Sequence, residues 1–280
     1  MQEVKLVVSY DDYEEGGRME TLIRELASKP EAASLESLII GDWGQAYENS
    51  PMEFQDTLIE HASSFPALKQ LFIGDMESEE CEISWIVQTN LAPLVQAFPN
   101  LTSFVIQGSS GLELEPLKHG KLEELIIICG GLPKVVLNSI AAAELPELRK
   151  LELYLGVEDY GFNGSIDDVL PLLEKGRFPK LEYLGLKNSE IQDEIAKAAA
   201  NAPILDQIQV LDLSEGTLSD EGAEALLASE RIKQLKHLNL SYHYMSDEMM
   251  ARWEQSGIPV NVSDQQESDE DDWRFPMITE

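Results

Sequence analysis

The pattern Leu-x-x-Leu-x-Leu/Ile, with an occasional Ile or Phe in place of a Leu, recurs eight times along the chain and narrows the choice of fold more than any other feature. It stands at Leu35-Leu38-Ile40, Leu68-Leu71-Ile73, Leu101-Phe104-Ile106 and Leu122-Leu125-Ile127. It continues at Leu148-Leu151-Leu153, Leu181-Leu184-Leu186, Ile208-Leu211-Leu213 and Leu235-Leu238-Leu240. Successive copies lie 21 to 33 residues apart, a spacing that holds one strand and one helix. Such a unit cannot bury its apolar face alone, so neighbouring units must stack.

The segments between copies carry helix signals. Leu218-Ser219-Asp220-Glu221 returns as Met245-Ser246-Asp247-Glu248, and a related Ile191-Gln192-Asp193-Glu194 precedes both. Ser219 and Ser246 suit helix N-caps, because a hydroxyl accepts from the free amides of the first turn. The acids that follow favour the positive end of the helix dipole. Ala223, Leu226 and Leu227 have helical spacing, as do Leu58, Ile59 and Ala62. Proline disfavours helix at the residue before it, so Phe65-Pro66, Phe98-Pro99, Leu145-Pro146 and Phe178-Pro179 mark boundaries.

The expected architecture is an α/β solenoid: a curved arc with parallel strands on the concave side, helices on the convex side, and about eight repeats plus caps. Residues 1–34 are expected to cap the N-terminus, with a strand over Val4–Tyr10 and a helix over Arg18–Ser28. The array proper is expected over 35–262, closed by a short strand at Ile258–Val262. Residues 263–280 open with six acids and no base between Asp264 and Asp272, which predicts a disordered, solvated tail. Trp273 and Phe275 interrupt that polarity and could instead dock on the last repeat or on a partner.

The stretch Val210–Leu227 resembles the ribonuclease-inhibitor class of leucine-rich repeats. Gly41-Asp42-Trp43-Gly44, Glu79–Ile86 and Gly130-Gly131-Leu132-Pro133 resemble segments of a family of bacterial cytoplasmic leucine-rich-repeat proteins, a resemblance that implies the fold and brings no activity with it. One departure stands out. The ninth repeat position, often asparagine or cysteine in such arcs, reads Trp43, Met76, Ser109, Gly130, Gly156, Ser189, Gly216 and His243. The turns must therefore satisfy their backbone groups by other means.

Composition excludes several roles. Against 20 basic residues stand 52 acidic ones, a formal charge of −32, so nucleic acid is not an expected partner. The 43% hydrophobic content supplies a core despite the self-repulsion. The longest wholly apolar run, Leu125 to Cys129, is far short of the roughly 20 residues of a membrane span. The start, Met-Gln-Glu-Val-Lys, lacks the pattern of a signal peptide. Two cysteines, Cys81 and Cys129, make neither a disulfide framework nor a four-ligand zinc site. A cytoplasmic protein without cofactor or metal is expected.

Side chains alternate along a strand, so the third, fifth and seventh repeat positions face the concave surface. Ile39, Phe72, Val105, Ile126 and Ile128 make the first half apolar there. Such a patch calls for a partner protein or for the chain's own loops to cover it, unless the register is wrong. The second half is polar and includes Lys150, Glu152, Tyr154, Tyr183, Lys187, Asp212, His237, Asn239 and His243. His237 could act as a base oriented by Asp212 if the two lie within hydrogen-bond reach. Loops after the strands gather acids into a rim of Asp42, Asp75, Glu77, Glu79 and Glu80, suited to a basic protein. Cys81 among these acids should be a poor nucleophile, and Cys129 a buried apolar group. Four histidines are scattered, and no phosphate loop, dinucleotide fingerprint, nucleophile elbow or His-Glu-x-x-His motif occurs.

The leading expectation is thus a non-enzymatic interaction module that binds a protein partner through its concave face and acidic rim, the rim suiting a basic one. The alternatives are an accessory factor or enzyme acting at the polar half, and an inhibitor of a basic enzyme.

Overall fold

The computed structural model describes residues 2–280. Contacts group the chain into two units, one running through Ile128 with Ala142–Leu148 and Glu280, the other holding Cys129–Ala141 and Arg149–Thr279. The first contains β1 (Glu3–Val8), α1 (Tyr10–Glu14), α2 (Met19–Ala27), β2 (Ser37–Trp43), α3 (Met52–Glu60), β3 (Gln70–Ile73), α4 (Ala92–Ala97), β4 (Ser103–Gln107) and β5 (Glu124–Ile128). Its strands pair in parallel in chain order. In the second, α5 (Lys134–Ala142) leads into β6 (Lys150–Gly156), α6 (Ile166–Val169), β7 (Tyr183–Ser189), α7 (Gln192–Ala199) and β8 (Val210–Asp212). There follow α8 (Asp220–Leu227), β9 (His237–Asn239), α9 (Asp247–Gln255) and β10 (Val260–Asn261). Strands β6 to β10 are again parallel and in chain order. This is the α/β leucine-rich-repeat architecture.

The repeat leucines stack in register. Leu38, Leu71, Phe104 and Leu125 form one rung of the first unit, and Leu151, Leu184, Leu211 and Leu238 one rung of the second. All eight are at most 1% exposed, which places the core between strands and helices. Each such side chain contributes about 1.5–3 kcal/mol through burial.

Local chemistry sets where each element begins and ends. Ser219 accepts from the Glu221 N–H at 3.2 Å and Ser246 from the Met249 N–H at 3.2 Å, the two expected N-caps. The four prolines do more than stop helices. Each follows a buried Phe or Leu whose carbonyl accepts from the N–H three residues on: Leu68 to Phe65, Leu101 to Phe98, Leu148 to Leu145 and Leu181 to Phe178. These are β-turns with proline at the second position, where its fixed φ fits. Phe65, Phe98, Leu145 and Phe178 are buried, so one short motif closes the core and aims the next strand.

The missing asparagine ladder has substitutes. Gln88 donates to the Gln107 carbonyl at 2.8 Å and Gln107 to the Met76 carbonyl at 2.7 Å. In the second unit Gln192 donates to the Leu186 carbonyl at 3.1 Å, and Thr217 to the carbonyls of Ser189 and Glu190. Two buried histidines serve the same end. His119 Nδ1 accepts from the Lys121 N–H, and His243 Nδ1 from the Met245 N–H, while each Nε2 meets a carbonyl, of Phe98 and Val262 respectively. That arrangement requires the neutral ring protonated at Nε2, and burial lowers the basicity of both imidazoles.

The segment after β10 differs from the expected free tail. It runs back over the loops that follow β9 and β8 and reaches the end of β7. The Gln266 N–H donates to the His243 carbonyl at 2.7 Å, and Tyr244 Oη to the Phe275 carbonyl at 2.8 Å. Arg274 reaches the Thr217 carbonyl at 3.1 Å and Asp193 at 3.4 Å. The Met277 N–H donates to the Glu215 carbonyl at 2.9 Å, and Asn188 bonds both the carbonyl and the N–H of Ile278. Asn188, near the end of β7, and Glu215 and Tyr242, in the loops after β8 and β9, all have positive φ. An acid-rich composition foretold solvation but not these specific backbone acceptors.

Candidate functional site

Each unit has an open sheet face turned away from its helices, and the two faces differ in chemistry. In the first unit, Ile39, Phe72, Val105 and Ile126 lie side by side across β2 to β5, and Ile128 sits two residues beyond Ile126. All five are partly exposed, while their strand neighbours Leu38, Ile40, Leu71 and Ile73 are buried. The register read from the sequence is therefore the one adopted. Ser37, Gln70, Ser103 and Glu124 line one side of this apolar strip, and Ser103 donates to Glu124 at 2.5 Å.

The expected acidic rim is only partly assembled. Glu77, Glu79 and Glu80 are exposed. Asp75 pairs with Lys5 at 2.9 Å, so its charge is locally offset. Asp42 is a correction: it is 6% exposed, and its carboxylate accepts from the Gly44 N–H at 2.9 Å. Burial pushes the Asp42 carboxyl above its ordinary value, so this residue builds the turn. Cys81 is buried too, and its thiol is pushed up to about 11, first by burial and then by Asp42 and Glu82. Cys129 is fully buried and donates to the Tyr154 carbonyl at 3.1 Å.

The second unit's open face is a closed polar network. Lys187 Nζ lies 2.8 Å from Glu215, 2.7 Å from Tyr154 Oη and 3.5 Å from Glu152, and Lys150 reaches Glu152 at 3.1 Å. Burial pulls the Lys187 ammonium down, but the bonds to Glu215 and Tyr154 outweigh it and hold it above its ordinary value. Tyr154, 8% exposed, is pushed up to about 12 by burial. Asp212 Oδ1 accepts from Ser214 Oγ at 2.6 Å and from the Ser214 N–H at 3.0 Å. Its Oδ2 accepts from Tyr183 Oη at 2.8 Å and from Asn239 Nδ2 at 3.0 Å.

These four bonds fill the Asp212 carboxylate with partners other than His237. His237 stands opposite Val210, and Asp212 opposite Asn239, and the His237 side chain is exposed. The base-and-orienter pair imagined from the sequence is thus not formed. Among the described residues no cluster of three His, Cys, Asp or Glu side chains is placed to hold a metal ion.

Sequence reasoning missed one structural device. Asp193, at the start of α7, accepts from Ser219 N–H at 2.8 Å, Ser219 Oγ at 2.6 Å and the Gly222 N–H at 3.1 Å, all at the start of α8. Asp220 likewise accepts from the Ser246 N–H at 2.7 Å, at the start of α9. The recurrence of Asp193, Asp220 and Asp247 at 27-residue spacing carries the signal. Gln265 completes the series by donating to Asp247 at 3.1 Å.

In-register leucines on parallel strands, with helices between them, define a leucine-rich-repeat protein. Residues 208–227 match the family model described as Leucine Rich repeat. The crystal structure of a Bacteroides fragilis protein, a structural-genomics target, is similar to this chain at 39% identity and a TM-score of 0.88, over 94% of this chain and 75% of that one. The chain belongs to that protein's family. An internalin from Listeria monocytogenes aligns at 15% identity with a TM-score of 0.40, over 84% of this chain and 69% of the other, a likeness too remote to bear on function. No curated protein matches the sequence. Leucine-rich-repeat folds generally mediate protein–protein interaction, and no catalytic family is indicated. No helix among the described residues is long and apolar enough to cross a membrane.

Proposed function

We propose that this chain is a non-catalytic binding module that holds a protein partner against the open face of its first unit. The apolar strip of Ile39, Phe72, Val105, Ile126 and Ile128 carries the reading, because four partly exposed apolar side chains in register, with Ile128 beside them, form a surface that gains from being covered. Affinity comes from burying Phe72 and its neighbours, and Glu77, Glu79 and Glu80 at the edge steer a basic partner. Tyr154, Tyr183, Asp212 and Asn239 act in this reading as scaffold for the second unit, since Tyr183 and Asn239 already donate to Asp212 and Tyr154 already accepts from Lys187. His237 remains an exposed side chain able to touch a partner. The repeats are of the ribonuclease-inhibitor-like class, with residues 1–34 as cap and 35–262 as the array, in a protein of the bacterial cytoplasm. Two buried, unbridged cysteines accord with that compartment.

The experiment is capture from a lysate of the source bacterium, with bound proteins identified by mass spectrometry, comparing the parent with Phe72→Asp. Loss of the bound protein by at least tenfold, with an unchanged circular dichroism spectrum, is expected. Equal capture by the folded variant overturns the site.

A further inference from the structure

The C-terminal strap alternates in a way that its docking alone does not require. Arg274, Pro276 and Ile278 face the repeats: Pro276 is buried, Arg274 bonds Asp193 and the Thr217 carbonyl, and Ile278 bonds Asn188 through its backbone. The intervening Trp273, Phe275 and Met277 are 65%, 52% and 58% exposed. Exposure alternates along 273–278, so these three lie on the solvent side of the strap as one ridge. The strap is held beneath them by hydrogen bonds from Tyr242, Tyr244, Asn188 and Arg274, none of which needs the outward side chains. Immediately before the ridge, Glu267, Asp269, Glu270, Asp271 and Asp272 are all exposed.

Three large apolar side chains presented together on an anchored segment, beside a run of carboxylates, match a complementary surface of defined chemistry. A second copy of this chain fits poorly, because it brings another formal −32 to the contact. We propose that the Trp273–Phe275–Met277 ridge is a docking surface for a protein segment whose apolar face is edged by lysine or arginine. The apolar face covers the ridge, and the cations meet the carboxylates of 267–272. Because the strap is already ordered by its inner contacts, the partner does not have to order it, which removes an entropic cost of binding. This surface stands whether or not the apolar strip of the first unit binds a protein.

The test uses two fluorescein-labelled peptides of identical Leu/Lys composition, one an amphipathic helix and the other scrambled, titrated into the full chain and followed by anisotropy. The parent is expected to bind the amphipathic peptide at least tenfold more tightly than the scrambled one. The W273S/F275S/M277S variant keeps every inner anchor and the net charge, and it is expected to bind both peptides equally, as Trp273→Ser alone does in part. E267Q/E270Q/D271N should weaken both peptides, and Phe72→Ser should leave the preference intact. The proposal is overturned if the triple Ser variant retains the preference, or if Phe72→Ser abolishes it. It is equally overturned if the parent is a dimer by light scattering and the triple Ser variant a monomer, since the ridge would then belong to a second copy.

Discussion

His119 and His243 show how single residues carry the turns of this repeat. Each ring accepts from a backbone N–H two residues on and meets a carbonyl with its other nitrogen, a pair of bonds only the neutral imidazole can make. Burial, the largest influence, lowers both pKa values below the ordinary 6.5. The folded state therefore binds fewer protons than the unfolded chain once the pH falls below about 6.5, and stability must decline with acidification through that window. Melting temperatures measured between pH 7.5 and 5.5 should fall for the parent. A variant carrying His119→Gln and His243→Gln should start lower and change less. A parent curve flat over this interval would contradict the neutral-ring assignment. Histidine at position 243 read in the sequence as one of the polar groups of the second half's open face; the fold buries it instead and places beside it the carbonyl and amide that give it work.

At the level of elements, the helices of the second unit are joined at their N-termini as well as through the core. Asp193 gathers three donors from the next repeat and the Arg274 guanidinium of the strap. Asp193→Ala should leave the Ser219 and Gly222 amides without an acceptor, destabilising the fold by about 1–3 kcal/mol. It should also release the strap, which hydrogen exchange at residues 273–278 would detect. Asp193→Asn keeps an acceptor and should cost less. Equal exchange of the strap in Asp193→Ala and the parent would show that the Asp193–Arg274 pair does not help to hold it. The repeated Asp was legible as a helix-start residue favoured by the dipole. Its reach to the following helix was not, because that contact depends on the lateral spacing of stacked repeats.

For the molecule as a whole, the dominant quantity is the formal charge of −32. Many cations are already committed to local pairs, such as Lys5 with Asp75, Lys69 with Glu36 and Arg149 with Glu182, so the remaining repulsion is spread over exposed acids. Screening lengths shrink from about 30 Å at 0.01 M salt to about 8 Å at 0.15 M. The melting temperature should therefore rise between these concentrations. A fall would mean that the ion pairs outweigh the repulsion. The same screening should slow association with a basic partner.

Eight evenly patterned copies determined the repeat architecture, the strand register and the apolar strip from Ile39 to Ile128, because strand periodicity decides locally which side chains go inward. Cap positions such as Ser219 and Ser246 followed from short-range hydrogen bonding in the same way. The polar half was misread as a free recognition surface, Asp42 as a rim charge and the last residues as a loose tail. Whether a carboxylate stays in solvent or pairs with Lys187, and whether an acidic strap finds the amides and carbonyls that hold it, depends on groups far away in the chain. Those groups meet only when the repeats have stacked.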